Sequence, residues 1–104
     1  MPKYKVITAS YLDSMLLRHV AFLSRVSLPA TKKFRNEFEE ILKRLEKNPF
    51  QFPFSDDPNL PEGVYRKALF CKWYKALFCV DGNTVYLDAV VDCRMDNHVE
   101  MLSR

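Results

Sequence analysis

The chain has 104 residues, 48% of them hydrophobic and 28% charged, with a net charge of +3 and only two glycines. One hydrophobic core serves about 100–200 residues, so these values describe a single globular domain over residues 1–104 and exclude collagen-like or mainly disordered chains. No apolar run approaches the ~20 residues of a membrane-spanning helix, and Met1-Pro2-Lys3-Tyr4-Lys5 lacks the layout of a signal peptide, so a cytoplasmic protein is expected.

Lys3 to Ala9 alternates in polarity and reads as a first strand. Ser10 with Asp13 three residues on suggests a capping box that opens a helix. Along that helix Leu12, Met15, Leu16, His19, Phe22, Leu23 and Val26 recur at steps of three and four, as one apolar stripe. His19 falls inside the stripe and reads as a core side chain rather than a catalyst. Ser27-Leu28-Pro29 breaks the pattern, and proline is tolerated in the first turn of the next helix. That helix runs to about Lys47, with Ala30, Phe34, Phe38, Ile41, Leu42 and Leu45 inward and Glu39–Lys43 and Glu40–Arg44 available as surface pairs. The short link makes the two helices an antiparallel hairpin.

Asn48 to Gly63 is irregular and proline-rich, and its Phe50, Phe52 and Phe54 are expected to pack on the domain. Three strands follow, at Val64–Phe70, Tyr74–Val80 and Thr84–Val91, joined by Cys71-Lys72-Trp73 and by a turn with an Asp-Gly signal at Asp81-Gly82-Asn83. In the last strand Val85, Leu87, Ala89 and Val91 are expected to face the helices, leaving Tyr86, Asp88, Val90 and Asp92 on the other side. The predicted fold class is α+β, in two layers: a helical hairpin on an antiparallel sheet.

Cys71, Cys79 and Cys93 are widely spaced and form no C-x-x-C pair, and only His19 and His98 could join them. Reduced thiols are therefore expected, with no metal or cofactor. Charge is uneven: between Val64 and Val80 stand Arg66, Lys67, Lys72 and Lys75 with no acidic residue. Such a strand pair either attracts phosphate or uses its lysines to guard an edge against aggregation.

The order strand, helix, helix, strand, strand, strand resembles the RelE/ParE toxin superfamily. So do Asn48-Pro49, Gly63-Val64-Tyr65-Arg66-Lys67, Tyr74-Lys75-Ala76-Leu77-Phe78-Cys79-Val80-Asp81, Thr84-Val85-Tyr86-Leu87 and Asp92-Cys93-Arg94-Met95-Asp96, taken in sequence. The resemblance covers about residues 3–97. It implies the toxic half of a type II toxin–antitoxin pair, with an N-terminal strand and helical hairpin completed by a three-stranded antiparallel meander. It also implies an acidic antitoxin partner that folds as it binds.

RelE-like members cut messenger RNA on the ribosome without metal, and ParE-like members poison DNA gyrase by binding. A third possibility is a protein of this fold that has lost toxicity. RNA cleavage by the 2′-hydroxyl needs a base, an acid and cations around the phosphate. Resemblance places Arg66, Lys75 and Arg94 where RelE-like toxins carry functional cations, with Lys67 and Lys72 as further RNA-binding residues. Ala68 stands where the family has a second basic residue, and Glu100 and Met101 occupy the stretch of its tyrosine. His98 is the nearby group able to replace that tyrosine in proton transfer.

Overall fold

The computed structural model describes residues 3–94 of the chain. His98 lies outside the described residues.

Apolar periodicity and the break at Ser27 produce the helices. Strand β1 (Lys5–Thr8) leads into helix α1 (Leu12–Val26) and helix α2 (Leu28–Lys47). A short 3₁₀ turn (Pro49–Gln51) precedes β2 (Arg66–Phe70), β3 (Tyr74–Asp81) and β4 (Thr84–Asp92). The expected capping box is absent: Tyr11 occupies the N-cap of α1, and its side chain does not cap the helix. A tight turn opens this helix instead, in which the Leu12 N–H donates to Ala9 O at 3.0 Å. At α2 the Ser27 hydroxyl accepts the Ala30 N–H at 3.2 Å, and proline lies in the first turn as its fixed φ permits.

The sheet is mixed rather than antiparallel, in the order β1-β4-β3-β2. β2, β3 and β4 form the antiparallel meander, while β1 pairs with β4 in parallel, Val6 opposite Val85 and Thr8 opposite Leu87. Parallel neighbours need a long crossover. Here the helical hairpin and the first two meander strands lie between β1 and β4. α1 packs mainly on β4, and α2 on β2 and β1.

Strand alternation sets an inner, helix-facing side and an outer side. Ala68 and Phe70 of β2 pair with Ala76 and Tyr74 of β3 on the inner side. Phe34 of α2 meets the Phe70 and Tyr74 rings there, at 5.3 and 4.8 Å between centroids. The β3–β4 register shifts at Leu77/Phe78: Phe78 faces Leu87, Leu77 faces Ala89, and Asp88 is the extra residue between them. The bulge therefore splits the expected face. Val85, Leu87 and Val90 share the inner side, whereas Ala89 and Val91 pass to the outer side with Leu77 and Lys75. All five of these β4 residues are buried.

The apolar stripe of α1 also divides. Leu12 and Met15 are buried and Leu16 and Leu23 pack against the core, but Phe22 is 53% and Val26 67% exposed. On α2 the surface pairs are Lys33–Glu37 and Glu40–Lys43, while Arg44 donates to Gln51 Oε1 through Nε and Nη2 at 3.1 and 2.8 Å. Exposed pairs of this kind contribute little, so the hairpin depends on its buried face.

Leu87 is fully buried where β4 meets both β1 and β3. Leu87→Ala is expected to lower unfolding free energy by about 2–5 kcal/mol through the cavity it leaves. Urea denaturation followed by circular dichroism measures this, and a change below about 1 kcal/mol would contradict the core described here.

Candidate functional site

Strand parity determines where each cation goes, and it separates those expected to act together. Lys67 and Lys75 lie on the outer side with Leu77 between their strands' registers. Arg66 has the opposite parity, sharing the inner side with Ala68 and Phe70, so it does not converge with Lys75. Lys72 and Arg94 sit at a third place, the β2–β3 turn and the end of β4.

The outer side is not the purely basic surface suggested by residues 64–80, because carboxylates reach it from elsewhere in the chain. Lys67 Nζ lies 3.3 Å from Asp56 Oδ1, and this hydrogen bond holds the Asp56 carboxyl below its ordinary value, with Lys75 adding a smaller pull. Leu60, in the same loop as Asp56, is buried. Tyr65 donates its hydroxyl proton to Asp88 Oδ2 at 2.6 Å across the sheet. Burial first, and then the bond to Asp88, push the Tyr65 hydroxyl well above its ordinary pKa, so it does not act as a base near neutrality. Cys79 is pushed up by burial and by the Asp88 and Asp81 charges.

At the turn, Cys71 and Lys72 both adopt left-handed backbone, with φ of 49° and 69°. Side chains rarely take this conformation, so the three-residue turn stores local strain. It presents the half-exposed Trp73, with Lys72 Nζ 5.3 Å and Arg94 Cζ 5.2 Å from the indole centroid. The Cys71 N–H donates to Glu37 Oε1 at 2.9 Å, and burial with the nearby Glu37 charge pushes the Cys71 thiol up to about 11.

Arg94 is already committed. Its Nε and Nη2 donate to the two oxygens of Asp92 at 2.9 and 2.7 Å, and its backbone N–H donates to Oδ1 at 2.9 Å. This fork matches both carboxylate oxygens at once. Behind it, the Tyr74 hydroxyl is buried beside the Arg94 guanidinium and the Asp92 carboxylate. Burial and the Asp92 charge push Tyr74 up, while Arg94 pulls it down. His19 lies beside Tyr74, ring centroids 5.0 Å apart, and its Nε2–H donates to Val90 O at 2.8 Å. It is a partly buried residue tied to the sheet.

Arg66 is held at the outer edge of β2. Its Nη1 donates to Phe52 O at 2.7 Å, and its guanidinium carbon lies 4.0 Å from the Phe54 ring centroid and 5.1 Å from that of Phe50. Phe54 forms a bridge with Arg66, the Ser55 N–H donates to Tyr65 O, and the Lys67 N–H donates to Pro53 O. Of the three loop aromatics only Phe52 is buried.

Sequence reasoning missed the acidic partners Asp56, Asp88 and Asp92. Only Asp92, two residues before Arg94, had a local signal. The Asp56–Lys67 and Tyr65–Asp88 contacts span 11 and 23 residues and depend on the loop path and the bulge. No group of His, Cys, Asp or Glu able to hold a metal occurs among the described residues, and no helix there is long and apolar enough to cross a membrane.

No protein-family model matches the sequence, and no curated protein matches it. The structure is similar to a chain of the chromosomal ParDE TA system from P. aeruginosa, with a TM-score of 0.64 and 15% sequence identity. That alignment covers 86% of this chain and 96% of the other. The chain therefore shares its α+β fold with that chain, with the N-terminal strand, helical hairpin and meander in one sheet.

The bond from Arg94 holds the Asp92 carboxyl below its ordinary value. A depressed carboxyl contributes stability that is full above its unfolded value and is lost as pH falls through the folded one. Asp92→Asn should therefore flatten the acid limb of the stability profile below about pH 4. Thermal midpoints across that limb measure it, and an acid limb identical to that of the parent chain would contradict the pairing.

Proposed function

We propose that the chain is the toxin of a type II toxin–antitoxin module and that it acts by binding its target, in the ParE manner, rather than by cutting RNA. The shared fold supports the toxin reading. The separation of the cations carries the choice of mode. Arg66 lies on the side opposite Lys75, and Arg94 spends both arms of its fork on Asp92. Losing one preorganised electrostatic contact costs about 10²–10³ in rate, so a phosphate bound near Lys75 without the two arginines would be a very poor substrate. Tyr65, on the same side as Lys67, is held protonated by burial and Asp88. A binding toxin needs none of these groups to transfer a proton.

On this reading the partners are a cognate acidic antitoxin and DNA gyrase, and no cofactor takes part. Ribosome-dependent cleavage of messenger RNA, with Arg66, Lys75, Arg94 and His98 as the catalytic set, is the competing account. Induction of the protein, with replication and translation followed separately, distinguishes them. The expected outcome is early replication arrest with double-strand breaks, intact transcripts, and inhibition of gyrase supercoiling by the purified chain. Early loss of translation with cut transcripts, abolished by Arg94→Ala in a folded protein, would overturn the proposal.

A further inference from the structure

Arg66 is the cation whose surroundings the proposed mode of action leaves unused. Lys67 and Arg94 each have a carboxylate within 4.0 Å, but among the described residues Arg66 has none. Its hydrogen-bond acceptor is a carbonyl, Phe52 O, reached through Nη1 alone. An arginine carries five N–H donors, so most of this fork has no protein partner in the described residues.

The guanidinium is nevertheless fixed. Phe54 and Phe50 both pack on it, at 4.0 and 5.1 Å, and the Tyr4 ring meets Phe50 edge-on at 5.9 Å. Phe50 is 51% and Phe54 47% exposed, so two ring surfaces flank the cation at the sheet edge. The result is a half-buried positive charge with its rotamer already chosen, a rigid fork, and an apolar rim. A carboxylate that meets this fork loses less entropy than one that meets a mobile surface lysine. Arginine and aromatic anchors in such settings dominate interface energies. Phosphate oxygens would also suit the fork. However, the rim consists of two phenyl rings, Lys67 points to the other side and is paired with Asp56, and Arg44, over the Phe52 ring, gives Nε and Nη2 to Gln51. A strand of nucleic acid needs successive cations along its backbone, whereas one carboxylate between apolar side chains needs only what is present.

We propose that Arg66, held between Phe50 and Phe54, is the docking point for a single Asp or Glu flanked by apolar side chains in an acidic partner protein. This rests on the reading of the chain as a toxin neutralised by an acidic antitoxin, and it names where that partner's anchoring carboxylate sits.

The test uses the purified full chain and a short synthetic peptide with one Glu between two Leu residues in a Gly/Ser background, beside a twin carrying Gln. Nuclear magnetic resonance follows the Arg66 Nε–H and the ring protons of Phe50 and Phe54. The Glu peptide is expected to shift these signals, to bind about tenfold or more tightly than the Gln twin, and to weaken as salt is added. Arg66→Gln, which still offers an N–H to Phe52 O, should abolish that preference, and Phe54→Leu should reduce it. Equal binding of the two peptides, or a response confined to Lys67 and Lys75, would overturn the proposal. So would a stronger response of the Arg66 signals to a short oligouridylate, which would make the site one for nucleic acid. Both peptides are compared on the parent chain, so the result does not depend on the variants folding. Growth arrest is read separately: a toxic chain with no Glu preference refutes the docking point alone, and a non-toxic chain with that preference refutes the toxin reading alone.

Discussion

The bulge between β3 and β4 is the constraint on which the other features depend. One extra residue, Asp88, lets Leu87 sit opposite Phe78 on the inner side while Ala89 sits opposite Leu77 on the outer side. Without it, simple alternation would keep Ala89 and Val91 with Leu87 against the helices and turn Val90 and Asp92 outward. His19 would then lose the geometry of its bond to Val90 O, and Asp92 would leave the neighbourhood of Tyr74. The bulged residue is itself used. Asp88 accepts the Tyr65 hydroxyl and so joins the segment just before β2 to β4 across the outer surface of β3. A single insertion thus decides the composition of the core, the state of the outer tyrosine and the placing of the polar cluster at the sheet end.

Much of this architecture was legible in the sequence. The helices could be read because Phe34, Ile41 and Leu45 recur at helical spacing and are buried, and because a serine and a proline mark the break. The meander could be read from β-branched and aromatic runs between turn residues. Gly82 supplies the left-handed backbone at the last hairpin, with φ of 62°. The bulge could not be read, since nothing in Thr84–Asp92 departs from alternation strongly enough to mark it. The parallel pairing of β1 was equally hidden. Strand direction is set by how the long crossover returns, not by the residues of the strand. Phe22 and Val26 follow helical spacing perfectly well, yet they are exposed while Leu23 between them packs on the core, which periodicity cannot report.

The functional residues were less legible for a different reason. A cluster of cations in sequence suggested a cluster in space, but β alternation sends Arg66 and Lys67 to opposite sides. The neutralising carboxylates then arrive from a loop, from the bulge and from the strand end. The two readings of the basic segment, phosphate attraction and edge protection, divide among its members accordingly. Arg66 and the Phe54 bridge cover the outer edge of β2, which would otherwise offer free backbone groups to another chain. Lys75 is the member left on the outer side with no carboxylate within 4.0 Å among the described residues.

Arg94 shows most clearly why charge in this fold is used for structure before chemistry. To hold a phosphate it would have to share or give up its two bonds to Asp92. Asp92 is 9% exposed and lies beside the buried Tyr74 hydroxyl. Removing one member of a buried hydrogen-bonded ion pair typically costs about 3–5 kcal/mol, because the other charge is left uncompensated. This pair is only partly buried, with 43% of the Arg94 side chain exposed, so the cost is smaller but has the same sign. A new Arg94–phosphate contact would therefore have to exceed an existing bidentate contact of similar strength. A catalytic arginine that must first break its own ion pair contributes little to a transition state. An arginine stacked at Trp73 and fixed by Asp92, by contrast, presents a rigid surface to a protein partner. The geometry at the end of β4 thus weighs on the same side as the inward turn of Arg66, in support of the proposed binding mode.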